Sequence, residues 1–162
     1  MTKQQISKRM AALAARLRYD MHDDRYLSEA MFCEKEEGHD NYTNDAQATL
    51  GDAVLKLVLS EHFFDRGFDK GEITRRRVAL ENNDTLKAIA DCLSLGNDAF
   101  NRDFFADEAP AHRRLPYRAH DFYLEAVIAA IYRDRGLAYV RDWILDLYRR
   151  YDGCICGEGS IF

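Results

Sequence analysis

Apolar residues return at every third or fourth position between residues 44 and 64, as Leu50, Ala53, Val54, Leu57, Val58 and Phe64. That spacing predicts one apolar stripe on an amphipathic helix. Asn44, with Gln47 three residues on, predicts the helix start, a side-chain acceptor at the N-cap with its partner in the first turn. Gly51 inside this helix costs about 1 kcal/mol relative to alanine, so close packing or a functional reason is expected there.

The same periodicity predicts a basic helix over residues 2–18, with Ile6, Met10, Leu13 and Leu17 on one side. A short helix follows over 26–32, then a charged loop over 34–42. Past the central helix, residues 65–71 read as a turn and 72–80 as a helix carrying Arg75, Arg76 and Arg77 in succession. Residues 82–84 break the pattern, and a further helix over 85–95 ends at Gly96. Residues 100–118 are irregular, with Pro110, Pro116 and the basic run His112, Arg113, Arg114, and a loop of that length is often functional. Residues 120–133 are apolar nearly all round, which predicts a buried helix. A last helix over 137–151 turns Val140, Trp143, Ile144 and Leu147 inward. The expectation is an all-α fold in a single domain spanning 1–162, without internal repeats or a linker.

Composition narrows the class. A chain of 162 residues, nearly half of them apolar, can bury a core of its own. No apolar run approaches the roughly 18 residues of a membrane span. The net charge of -5 argues against coating nucleic acid by overall charge and leaves room for a local basic patch. The four cysteines form no C-x-x-C pair and follow no secretory signal, so reduced thiols in a cytoplasmic protein are expected. Cys154 and Cys156 are a weak metal or redox signal in a glycine-rich tail. The basic stretch 2–18 also fits a mitochondrial targeting peptide, but its regular stripe favours an integral helix.

The candidate chemistry lies on two helices. Asp45, Ala48 and Asp52 share one face of the central helix, and an acidic pair beside a tightly packed glycine could hold a metal. The plain alternatives are a solvated face and, for Asp45, complementarity to the helix dipole. Glu125 stands in the apolar helix one turn after Asp121. A carboxylate buried there must be paired, hydrogen-bonded or on a metal, and an arginine ion pair is the ordinary solution. Arg75, Arg76, Lys87, Arg113, Arg114 and Arg118 are candidates for a local basic patch, although a run of arginines is also a common solvated face.

Residues 50–55, Leu-Gly-Asp-Ala-Val-Leu, resemble the core motif of the ribonuclease III endonuclease domain. Residues 27–32 fit that family's short preceding helix, 71–75 and 86–90 its middle pair, and 125–136 the helix carrying its last catalytic glutamate. The resemblance covers roughly residues 25–150. It implies an all-helical dimer that cuts double-stranded RNA, with carboxylates holding Mg²⁺ (or Mn²⁺) to activate water. It assigns Asp52 and Glu125 as catalytic and metal-binding residues, and Asp45 as a matching acidic position and further metal candidate. It also makes Arg75, Arg76, Lys87, Arg113, Arg114 and Arg118 candidates for RNA phosphate contacts.

The match is incomplete. Ala48 stands where the family has a metal-linked glutamate, Phe122 where it has an aspartate, and Thr49 where a phenylalanine usually enters the partner subunit. Asp121 lies one place out of register and could reach the metal if its helix starts irregularly. The same departures at positions 48 and 122 resemble the Mini-ribonuclease III class, which stands alone without a double-stranded-RNA-binding domain and acts on precursor ribosomal RNA. The favoured expectation is an endoribonuclease working with a reduced carboxylate set, with a protein delivering its RNA as a further expectation. The alternative is a catalytically silent relative that binds RNA or supports a ribosome or nuclease complex. A helical interaction module without an RNA role is the third reading.

Overall fold

A computed structural model of the chain describes residues 2–101 and 123–156, the last five by backbone alone. Seven helices lie in those residues: α1 (Lys3–Arg16), α2 (Asp24–Met31), α3 (Asp45–Asp65), α4 (Lys70–Glu81), α5 (Asn83–Cys92), α6 (Tyr123–Arg135) and α7 (Leu137–Cys156), with a 3₁₀ turn at Leu95–Asn97. No strand occurs among the described residues, only isolated bridges joining Phe32 to Phe100 and Lys35 to Tyr42. The expected all-α architecture is therefore the observed one.

Local chemistry starts most of these helices. Thr2 and Gln5 cap α1 reciprocally, the Gln5 amide donating to the Thr2 hydroxyl and the Thr2 amide to Gln5 Oε1. Asp23, Asp69 and Asn82 accept first-turn amides at the starts of α2, α4 and α5. Asn44 differs from its expected role: its side chain makes no cap and instead donates to the Ala30 carbonyl at 3.0 Å, pinning the start of α3 to the end of α2. Gly136, at φ +84°, turns α6 into α7. Ser94, at φ 53°, is left-handed just after α5, which ends at Cys92, short of the end expected at Gly96.

Helix α6 is the hub. Leu124 and every residue from Ala126 to Ile131 are buried, and α2, α3, α5 and α7 pack around it. Its alanines leave room for neighbouring backbones, while Leu124, Val127, Ile128 and Ile131 fill the spaces between them. Two buried bonds tie α7 to the rest: Trp143 Nε1 donates to the Leu17 carbonyl at 2.9 Å, and the Tyr148 hydroxyl to the Leu80 carbonyl at 2.7 Å. No helix among the described residues is long and apolar enough to cross a membrane.

The inward face of α3 differs from the expected stripe. Gly51, Val54, Leu55, Val58, Leu59 and Phe63 are buried. Leu50, Leu57 and Phe64 face outward, 38%, 51% and 71% exposed, and Ala53 is exposed beside them. The helix carries apolar residues on two faces, so periodicity alone merges the core stripe with the outer one.

Candidate active site

The closest approach of α3 to α6 lies at Gly51. A Cβ built there would stand 1.7 Å from the Glu125 carbonyl oxygen, well inside the closest possible contact. Only a residue without a side chain lets α3 and α6 meet backbone against backbone, which is the close packing expected of Gly51. The residue after Gly51 is Asp52 and the one across the contact is Glu125, so the crossing itself makes these two carboxylates neighbours.

Both line one cleft of about 460 Å³, together with Asn41, Asp45, Ala48, Thr49 and Asn83. The acidic face expected on the central helix therefore opens into a cavity that also receives Glu125. Glu125 is half-buried rather than enclosed, a correction to its expected full burial: its backbone is at the helix crossing while its side chain reaches the cleft. Asp121 and Phe122 lie outside the described residues, as do Arg113, Arg114 and Arg118.

The carboxylates differ in their engagements. Asp45 accepts the Tyr42 amide at 2.8 Å, which holds the end of the charged loop over the helix start. Asp52 accepts the Lys56 ammonium at 2.7 Å, one helical turn away, and both side chains are partly open to water. That hydrogen bond holds the Lys56 ammonium above its ordinary value. Thr49 donates to the Asp45 carbonyl within α3. Among the described residues, no three His, Cys, Asp or Glu side chains stand close enough to hold a metal by themselves.

Two residues near this cleft carried no sequence signal of their own. Lys56 follows Asp52 at i,i+4, a spacing that predicts a pair only once the helix face is known. Glu81 ends α4, where burial pushes its carboxyl up, against the opposing pull of Arg77 and Lys56. Only the packing of α4 beside α3 brings it within electrostatic reach of Asp52.

The described basic candidates stand away from the cleft lining, each with an acidic partner. Arg75 and Arg76 both pair with Glu72, at 2.6 and 2.7 Å, and these hydrogen bonds hold the Glu72 carboxyl below its usual range. Arg76 also lies over the Phe68 ring, 4.3 Å from its centre. Lys87 pairs with Asp91 at 2.8 Å.

A family model described as the ribonuclease III domain matches residues 45–136, the stretch holding α3 to α6. A protein named Ribonuclease 3 from Clostridium botulinum is 38% identical over 105 residues, which is 63% of this chain and 44% of the relative. Ribonuclease 3 from a Nitratiruptor species is 31% identical over 146 residues, 86% of this chain and 61% of the relative. The chain thus spans about half the length of the curated relatives it matches. The crystal structure of the nuclease domain of ribonuclease III from Campylobacter jejuni superposes with a TM-score of 0.66 at 27% identity, covering 86% of this chain and 93% of that one. A second structure of that nuclease domain, at the same TM-score, addresses flexibility in a region involved in dimer formation.

Proposed function

The chain belongs to the ribonuclease III family, and we propose that it is a metal-dependent endoribonuclease that hydrolyses phosphodiesters of double-stranded RNA. The observation that carries this reading is the Gly51–Glu125 backbone contact, which sets Asp52 and Glu125 on one open cleft. A helix crossing this tight requires a glycine in a helix interior. Its consequence is the pairing of two acids that hydrophobic packing alone would keep apart.

The donor set fits a hard divalent cation. Asp52 and Glu125 offer carboxylate oxygens, and Mg²⁺ is commonly held by one or two carboxylates while keeping several waters and gaining phosphate oxygens from its substrate. In this reading Asp52 and Glu125 hold Mg²⁺ or Mn²⁺, with Asp121 as a further ligand. Bound there, the cation would lower the pKa of its water and offset charge on the phosphate. Asp45, in the first turn of α3 and fixed by the Tyr42 amide, is a further candidate ligand on the same cleft. Ala48 leaves space where a larger acid would stand, and Thr49 and Asn83 offer neutral polar groups to the RNA backbone.

Phosphate contacts are assigned to Arg113, Arg114 and Arg118, with Arg75, Arg76 and Lys87 as further ones. The last three must leave their carboxylate partners to meet RNA, which reduces the net gain of each contact. With a net charge of -5, duplex affinity is weak, read by shape more than by base sequence, and steeply salt-dependent. A delivering protein would compensate for that weakness. A single working unit and a homodimer complete the proposal. Its support is the outward row Leu50, Ala53, Leu57 and Phe64 along α3, an apolar surface that a second copy can cover.

The Lys56–Asp52 pair supports a second reading, a catalytically silent RNA-binding domain in which lysine stands where a cation would. Cleavage of a long generic RNA duplex with Mg²⁺ or Mn²⁺ separates the two. Cutting by the wild type that Asp52→Asn and Glu125→Gln each abolish is the expected result. RNA binding without cutting by either metal would select the silent domain.

A further inference from the structure

Lys56 is bonded to a carboxylate of the cleft lining and lies within electrostatic reach of a second acid on a neighbouring helix. Its ammonium donates to Asp52 Oδ2 at 2.7 Å on α3. Across the α3–α4 contact, Glu81 is held at 3.7 Å from Arg77 through Oε1, and its side chain is only 11% exposed. The other oxygen, Glu81 Oε2, is buried and has no hydrogen-bond partner among the described residues. Glu81 also attracts Lys56 electrostatically. A buried carboxylate oxygen without a donor is a costly arrangement. Arg77 Nε, also buried without a hydrogen-bond partner among the described residues, is held on the Oε1 side. That leaves an ammonium on a flexible four-carbon stem as a second donor able to relieve Oε2.

We propose that Lys56 is an internal cation that gates Asp52, sitting on it in the metal-free protein and moving to Glu81 Oε2 when a divalent ion enters. The inference rests on the reading of the cleft as a divalent-cation site. An ammonium at 2.7 Å from Oδ2 occupies one oxygen of the carboxylate and sets a positive charge beside the other. A divalent ion that approaches Asp52 is therefore repelled until the exchange moves that charge away. Glu81 lowers the cost of the exchange by offering the displaced ammonium a second carboxylate. The result is a site that holds free metal weakly and loads more fully when RNA phosphate adds its own oxygens.

Titration of the RNA-free protein with Mn²⁺, read by the loss of the free-ion electron paramagnetic resonance signal, tests this without reference to activity. Lys56→Met and Lys56→Gln, made at a partly exposed position that tolerates either side chain, bind Mn²⁺ roughly fivefold more tightly than the wild type, with unchanged thermal melting. That is the size of one exposed ion pair broken together with the repulsion of a nearby ammonium. Glu81→Gln weakens binding about threefold when Lys56 is present and leaves it unchanged in the Lys56→Met background. Unchanged or weaker Mn²⁺ binding by both Lys56 variants overturns the gate. So does an equal loss from Glu81→Gln in both backgrounds, which would make Glu81 a direct ligand. If Asp52→Asn loses Mn²⁺ while the Lys56 variants match the wild type, the gate fails and the metal site stands. If no variant binds Mn²⁺ at all, both fail.

Discussion

An alanine at position 51 would press its Cβ to 1.7 Å from the Glu125 carbonyl oxygen. Helix propensity favours that substitution by about 1 kcal/mol, while the clash is with backbone and no rotamer can relieve it. The clash wins, because α3 and α6 must separate along the most buried interface of the fold. Gly51→Ala is expected to lower unfolding free energy by about 3 kcal/mol or more in a urea titration, and a change under about 0.5 kcal/mol would show that the crossing is loose. This requirement was legible from Gly51 alone, since a glycine inside a periodic helix asks for a reason. Glu81 and Lys56 were not legible in the same way, because their meaning depends on which helix packs beside α3. His62 offers a pH test at this scale. Burial first, then the positive charges of Arg66 and Arg149, hold its imidazole below the ordinary value of 6.5. The folded chain therefore resists a proton that the unfolded chain accepts. Its contribution to stability is full above pH 6.5 and falls as the pH drops below that value. His62→Gln removes this acid-side loss, so the urea midpoints of the two proteins should diverge on moving from pH 7 to about pH 5.5. Parallel midpoints would show that His62 is not the group responsible.

At the scale of elements, α3 does two jobs with one sequence. Its buried face (Val54, Leu55, Val58, Leu59 and Phe63) builds the core, while Leu50, Leu57 and Phe64 point to water. Counting apolar positions could not divide these sets, since both recur at helical spacing and only the partners of each face separate them. The breaks read at 65–71 and 82–84 hold the caps Asp69 and Asn82, so those helix starts were legible only roughly. The one cap read from the sequence, Asn44, serves the distant Ala30 carbonyl instead. The outward set carries the dimer prediction. Leu57→Glu and Phe64→Glu replace exposed residues, so each should fold as the wild type does and sediment at half its mass at micromolar concentration. A wild type that is already a monomer, or variants that stay dimeric, would assign this face to something else.

For the whole molecule, the order of motifs along the chain was the most informative signal, and the packing of the helices around α6 follows it. The carboxylate cleft was legible in part. Asp45, Asp52 and Glu125, the acids singled out in the sequence, line one cleft, while Asp121 lies beyond the described residues. The Asp52–Lys56 pair could not be inferred without knowing that this side of α3 faces a cleft. The proposed nuclease site requires Asp52 and Glu125 to act as one unit across the Gly51 crossing. The direct measurement is a double-mutant cycle on the single-turnover rate of duplex RNA cleavage, using Asp52→Asn, Glu125→Gln and the two combined. Each single change is expected to cost roughly 10²–10³-fold, and the combination no more than the worse of them, as for groups that share one catalytic task. Losses that multiply, or a Glu125→Gln protein that cuts at the wild-type rate, would contradict a shared site.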